Sequence, residues 1–276
     1  GVTYNTMLNR IEAPCAWSIT QGDPCIQIAF IDHGFEPLHE DLSQNLVYAF
    51  DYVTQSNNVT SFNPNTNQQC DHATKVSSLA IAKGNNAIGM TGIAYNCEYQ
   101  AHQVRSNPQS IGFSCDGISN YLPAITSAVQ RGARIINMSF GGVGGNLNLY
   151  LKEAVDFAYR KGVFLVGSSG PKTYQVPNTN PPIVITQYTT HYPAYAPHVF
   201  SVSVVNENDE WFTPHQWNCY KHPTDPDLAV DAFVPIQEGG LVSALVYNGD
   251  PNLPKYRNDG PQSTSNAAGI GSGIAA

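Results

Sequence analysis

Ser265 stands near the head of a run, residues 262–276, that is small, apolar and almost uncharged. Its Ile and Ala content suits a buried helix better than a flexible Gly/Ser linker, which is more polar. A serine at a helix N-terminus sits among unpaired N–H groups and the positive end of the helix dipole, and both favour a developing oxyanion. A serine hydroxyl is still a poor nucleophile unless a base takes its proton. Two upstream residues have suitable chemistry: Asp32, which closes an apolar run at 25–31, and His72, which opens a helical apolar pattern at 72–83. Singly, each has a plain structural role: Asp32 as a strand-end turn residue, His72 as a helix N-terminal residue, Ser265 as a cap. Whether Ser265 is a nucleophile depends on which partners the rest of the chain supplies.

The elements that must position them follow from apolar periodicity. Residues 8–20 are mildly amphipathic and read as a short helix, broken by Gly22 and Pro24. The run 25–31 has the length and composition of a central parallel strand, and its closing acid lies where open α/β sheets place their sites. Further strands are expected at 45–53, 98–104, 133–139, 163–166, 199–205, 228–234 and 241–246. Helices are expected at 72–83, 118–131 and 148–161, the last two closed by Gly132 and Gly162. Residues 54–69 and 171–196 read as polar surface loops, and 206–227 as irregular. The strand–helix alternation predicts an α/β fold, a doubly wound and mostly parallel sheet with helices on both faces in three layers.

Composition narrows the function. The chain has 276 residues, enough for a large core, with 13 Lys+Arg against 21 Asp+Glu and only 12% charged residues. It has no basic cluster to neutralise phosphates, which argues against a nucleic-acid partner. No apolar run approaches the roughly 18 residues of a membrane span. With neither a signal sequence nor an initiator Met, it reads as a mature segment or an excised domain. Six cysteines (Cys15, Cys25, Cys70, Cys97, Cys115, Cys219) are even in number and irregular in spacing, and none forms a CxxC. They suit either disulfides of a secreted protein or buried thiols. The segment NVT at 58–60 is a glycosylation sequon, meaningful only in a eukaryotic secretory pathway. The His-rich stretch HQWNCYKH at 215–222 lacks a fourth clear ligand and reads as a surface loop.

Four separated stretches, taken in order, resemble the motifs of the subtilisin-like serine proteases. IAFIDHG at 28–34 resembles their aspartate motif, and DHATKVSS at 71–78 their histidine motif, His-Gly-Thr-His-Val. INMSFGG at 136–142 is similar to their substrate-binding segment, and STSNAA at 263–268 to their Gly-Thr-Ser-Met-Ala nucleophile motif. The order Asp, His, Ser is theirs too. Weaker likenesses at 85–94, 162–166 and 192–195 extend the resemblance over nearly the whole chain. It implies a serine endopeptidase with Asp32, His72 and Ser265 as triad, occupying residues 1–276 as a catalytic domain truncated at its C-terminal side. Ser139, Phe140 and Gly141 would pair with an extended peptide as an added strand. Ser168, Ser169 and Gly170 would wall the pocket for the residue before the cut. The implied protein is secreted and monomeric, acts on peptide or protein substrates and has a propeptide as a further partner. Its chemistry requires no cofactor.

The same comparison marks departures. The family places an oxyanion-donating Asn where this chain has Pro171, which carries no donor. Losing that donor costs such enzymes about 10²–10³ in kcat. The Ser265 N–H and the Thr264 hydroxyl remain as donors, or a different loop alignment brings in Asn178 or Asn180. Ala73 and Lys75 replace Gly and His in the histidine motif. His33 replaces a small hydroxyl residue, and Gly269-Ile270 stands where Pro-His is common. The Pro171 position motivates one alternative, a peptide-binding pseudoprotease; a third reading is a peptide ligase or cyclase, since an amine can open an acyl-enzyme in place of water, and no residue here selects it. A structural calcium site is also implied, with carboxylate Asp41, the Asn86 side chain and the carbonyls of Lys83, Ile88 and Met90 as ligands. The same residues read equally as an Asn-Asn turn beside a carboxylate.

Overall fold

The computed structural model describes residues 4–60, 62–63, 68–104, 120–141, 149–170, 173–176, 183–186, 190–206, 208–210, 230–235, 241–245, 250, 252–259 and 263–276. Pro171, Asn178, Asn180 and the stretch 215–222 lie outside them. In chain order the elements begin with α1 (Tyr4–Arg10), α2 (Ala13–Trp17), β1 (Gln27–Asp32), β2 (Leu46–Asp51), β3 (Phe62–Asn63) and β4 (Gln68–Gln69). Next come α3 (His72–Ile81), β5 (Glu98–Gln103), α4 (Tyr121–Gln130), β6 (Ile135–Met138), α5 (Leu149–Arg160) and β7 (Phe164–Ser168). The last group is β8 (Thr173–Val176), β9 (Ile183–Thr186), β10 (Val199–Val205), β11 (Ala232–Pro235), β12 (Leu241–Ala244), β13 (Tyr256–Asp259) and α6 (Thr264–Ala275).

Seven strands form one sheet in the order β11-β10-β7-β6-β1-β5-β2, and every neighbouring pair is parallel. A parallel sheet must be covered on both faces, so strands such as β1, β6 and β7 are largely apolar. Alternation along β1 shows how the faces are divided. Ile28 and Phe30 join a core with Val76, Leu79 and Ala80 of α3 and Ala267, Ala268 and Ile270 of α6. Ala29 and Ile31 join the opposite core, with Ala124, Ile125 and Ala128 of α4 and Leu151, Val155 and Ala158 of α5. The same period assigns Asp32 and, on the neighbouring strand, Asn137 to the α3/α6 side. The site is therefore built on that face, at the C-terminal ends of β1, β6 and β7.

Three expectations change. The helix expected at 8–20 starts earlier and divides in two, because Glu12 takes a left-handed φ of 55° that an α-helix does not continue through. Within the stretch expected to be a loop at 171–196, β8 and β9 form an antiparallel pair. Their short β-branched runs, TYQV and IVIT, are separated by a Pro- and Asn-rich segment that hides the alternation. The strand expected at 241–246 pairs with β13, outside the main sheet. Among the cysteines, Cys70 is disulfide-bonded, while Cys15, Cys25 and Cys97 are free thiols. No helix among the described residues is long and apolar enough to cross a membrane.

Candidate active site

Asp32 ends β1 between β5 and β6 and is wholly buried. Its carbonyl oxygen accepts from the Val104 N–H (2.8 Å), and its Oδ1 accepts from the His33 N–H (2.7 Å). His72 is the first residue of α3. The first N–H groups of any helix lack partners within it. Here Ala73 N–H donates to the His33 carbonyl (2.9 Å) and Thr74 N–H to the Gly34 carbonyl (3.1 Å). The Thr74 hydroxyl adds a bond of 2.6 Å to the same Gly34 oxygen. The start of α3 is thus stapled to the turn that follows β1, which sets His72 against Asp32.

His72 Nδ1 lies 2.8 Å from Asp32 Oδ1 and 3.0 Å from Oδ2. A carboxylate only accepts, so Nδ1 carries the proton and Nε2 presents a lone pair. Burial of the imidazole pushes its pKa down, but the charge and hydrogen bond of Asp32 push harder in the other direction, and the net shift is upward from 6.5. The His33 ring stacks nearly parallel to His72, with centroids 5.8 Å apart. Its Nδ1 is 3.5 Å from Asp32 Oδ1.

Ser265 is the second residue of α6, after the N-cap Ser263, whose side chain accepts from the Asn266 N–H. Its hydroxyl donates to the Ser139 carbonyl oxygen at 3.2 Å, not to His72. Ser139 Oγ lies 2.8 Å from Asn137 Oδ1 and 3.1 Å from the Ser265 carbonyl oxygen, so the two serines are tied in both directions. Asn137 Nδ2 donates to Ser272 Oγ (3.0 Å), and Ser272 Oγ donates to the Ala268 carbonyl (2.8 Å). This buried ladder fixes α6 lengthwise against the end of β6. Asn137 and Ser272 escaped the sequence reading. Their signal was an isolated polar residue inside an apolar run.

Thr264 is the neighbour of Ser265, and its Oγ1 accepts from the Gly170 N–H at 3.1 Å. Its own O–H remains able to donate. Ser139 and Gly141 follow β6 on one side, while Ser168, Ser169 and Gly170 close β7 on the other. Phe140 stacks on Tyr121 at the start of α4. A residue missed by the sequence reading, His191, sits between these walls. A Cβ at Gly170 would lie 2.3 Å from His191 Cγ, and one at Gly141 would lie 2.7 Å from His191 Cβ. Its backbone N–H donates to the Ser169 carbonyl (2.9 Å). A histidine preceding Tyr-Pro has no sequence pattern that signals this place.

Around Asp41 the residues of the implied calcium site gather, and they are joined by hydrogen bonds. Asp41 Oδ1 accepts from Asn86 Nδ2 (2.6 Å), and Oδ2 accepts from the Met90 N–H (2.9 Å) and the Tyr256 hydroxyl (2.8 Å). Lys83 N–H donates to the Asp41 carbonyl (2.8 Å), and Ile88 N–H faces Asn86 Oδ1 (3.3 Å). Glu40 Oε1 lies 3.0 Å from the same phenol oxygen, so the two carboxylates share its single hydrogen. Both carboxylate oxygens of Asp41 are thus engaged by hydrogen-bond donors. Among the described residues no group of three or more His, Cys, Asp or Glu is placed to hold a metal.

The profile of the Subtilase family matches residues 25–276. Thermitase of Thermoactinomyces vulgaris is 32% identical over 200 residues, 72% of this chain and 62% of that protein. Subtilisin DY of Bacillus licheniformis is 30% identical over 183 residues, 66% of this chain and 57% of that protein. The minor extracellular protease Epr of Bacillus subtilis is 28% identical over 203 residues, 74% of this chain and 27% of that protein. The chain thus spans less than two thirds of the length of these relatives. The structure of the prenylagaramide maturation protease PagA superposes with a TM-score of 0.64, covering 95% of this chain and 78% of that one. At 22% identity it is a likeness of fold.

Proposed function

The chain belongs to the subtilase family, and from that premise we propose that it is a serine endopeptidase cleaving extended peptides through an acyl-enzyme on Ser265. The observation that carries the reading is the buried Asp32 carboxylate, with both oxygens within hydrogen-bond reach of His72 Nδ1. That arrangement fixes the tautomer in which Nε2 can accept a proton. A substrate strand pairs with the backbone of Ser139–Gly141. Ser265 Oγ turns from the Ser139 carbonyl toward His72, gives up its proton to Nε2 and attacks the scissile carbonyl. The oxyanion faces the N–H groups at the start of α6 and the Thr264 hydroxyl. His72 then passes its proton to the leaving amine, and water opens the ester by the same route. Residues 1–276 act as a catalytic domain outside the cell, a setting supported by an extracellular relative.

The test is a fluorophosphonate probe applied to the wild type and to Ser265→Ala. Labelling and turnover in the wild type are expected, with loss of labelling and a fall in kcat on the order of 10⁶ in the variant, as for the same removal in subtilisin. Labelling that persists in the variant rejects Ser265 as nucleophile. One observation favours a second reading, a peptide-binding domain without turnover: the Ser265 hydroxyl is committed to the Ser139 carbonyl. A folded, unlabelled wild type that binds peptide selects that reading.

A further inference from the structure

We propose that His191 sets the preference of this site, by filling the slot for the side chain before the cut and restricting it to small residues such as glycine, alanine or serine. The inference rests on the reading above, that a peptide lies along Ser139–Gly141.

The slot has two walls, Ser139–Gly141 and Ser168–Gly170, and each carries a glycine toward the other. Paired glycines normally leave room for a ligand side chain. Here the chain's own imidazole takes that room. A Cβ at Gly170 would meet three ring atoms of His191, Cγ at 2.3 Å, Nδ1 at 2.5 Å and Cδ2 at 2.7 Å. On the opposite wall, a Cβ at Gly141 would meet His191 Cβ at 2.7 Å. One side chain therefore touches both walls, and at 4% exposure it is enclosed by them. Its base is fixed as well. The His191 N–H is bonded to the Ser169 carbonyl. Three residues on, Ala194 Cα lies 2.9 Å from where a Cβ of Gly167 would be, so the segment is pressed against the end of β7.

A phenylalanine or leucine side chain could enter only by displacing a buried ring whose backbone is held. A single methylene too many in a tight pocket already discriminates about 10- to 200-fold. A ring-sized excess should reach at least that range. The pocket contributes shape, and binding along the added strand contributes the affinity.

The experiment compares kcat/KM on acyl-Ala-Ala-Ala-X p-nitroanilides with X as Ala, Phe or Asp, for the wild type, His191→Gly and His191→Ala. The wild type should prefer Ala over Phe by at least about tenfold. His191→Gly should raise the Phe rate by about 10- to 200-fold while changing the Ala rate far less, and His191→Ala should fall between. An unchanged Phe/Ala ratio in a folded His191→Ala variant overturns the proposal. So does a wild-type preference for Asp, which would mean that the imidazole binds a carboxylate. If the wild type neither reacts with the fluorophosphonate nor turns over peptide, the protease reading has failed. The slot is then tested separately by NMR titration of Ser265→Ala with Ala-Ala-Ala-X acids. There, equal binding of the Ala and Phe peptides, or no binding of either, overturns the assignment of His191.

Discussion

Two opposed influences act on His72. Enclosure disfavours the imidazolium, and the Asp32 carboxylate at 2.8 Å favours it strongly enough to raise the pKa above 6.5. A general base works only when neutral, so the rising limb of kcat/KM against pH should be centred above 6.5. In Asp32→Asn the charge is gone and the enclosure remains. The limb should then move to lower pH, while kcat falls by about 10⁴. A limb that does not move would assign the titration to another group. The sign for stability follows from the same shift. A raised pKa in the fold stabilises below the unfolded value of 6.5, and that contribution fades as pH rises through the folded-state pKa. Asp32 was legible as the acid that closes an apolar run, and His72 through the resemblance of its flanking residues to the family's histidine motif. His191 has no such marker. Its place depends on glycines about 20 and 50 residues upstream, which only the fold brings alongside it.

Among the elements, α6 shows how a composition becomes a contact. Its small residues allow it to lie against α3 so closely that a Cβ at Gly269 would stand 2.5 Å from the Val76 carbonyl oxygen. In an isolated helix Gly→Ala adds about 1 kcal/mol. Here the overlap is with backbone, which cannot rotate away, and overpacking of this kind costs about 1–3 kcal/mol. Gly269→Ala should therefore lower the melting temperature despite its better propensity, and a rise would mean that the two helices can spread. The helical nature of 262–276 was readable from its apolar content, as was the parallel sheet from strand–helix alternation. The pairing of β12 with β13 was not, because an antiparallel partner 10 or more residues away leaves no trace in the period of either strand.

Across the whole molecule, Tyr256 joins the β12–β13 pair to the Asp41 turn and to the 85–90 loop. Burial and the adjacent carboxylates Asp41 and Glu40 drive its phenol pKa far upward, so it stays a donor at any working pH. Tyr256→Phe should cost about 1–3 kcal/mol, the usual penalty for a buried acceptor stripped of its partner, and chelators should leave the melting temperature of the wild type unchanged. A calcium-dependent rise in melting temperature that disappears in Asp41→Ala would instead establish a cation there. The sequence placed Asp41 and Asn86 near each other, and the phenol that occupies them came from a stretch with no motif at all. The position of α6 has a consequence of another kind, concerning time. Asp32 and His72 belong to the first third of the chain, but Ser265 arrives on a helix packed between α3 and β6, β7 and β10. Contacts so distant in sequence form late and slowly. During synthesis, therefore, a growing chain carries the carboxylate and the base long before it carries the hydroxyl. If the three residues act as proposed, cleavage has to wait until α6 has docked on the sheet.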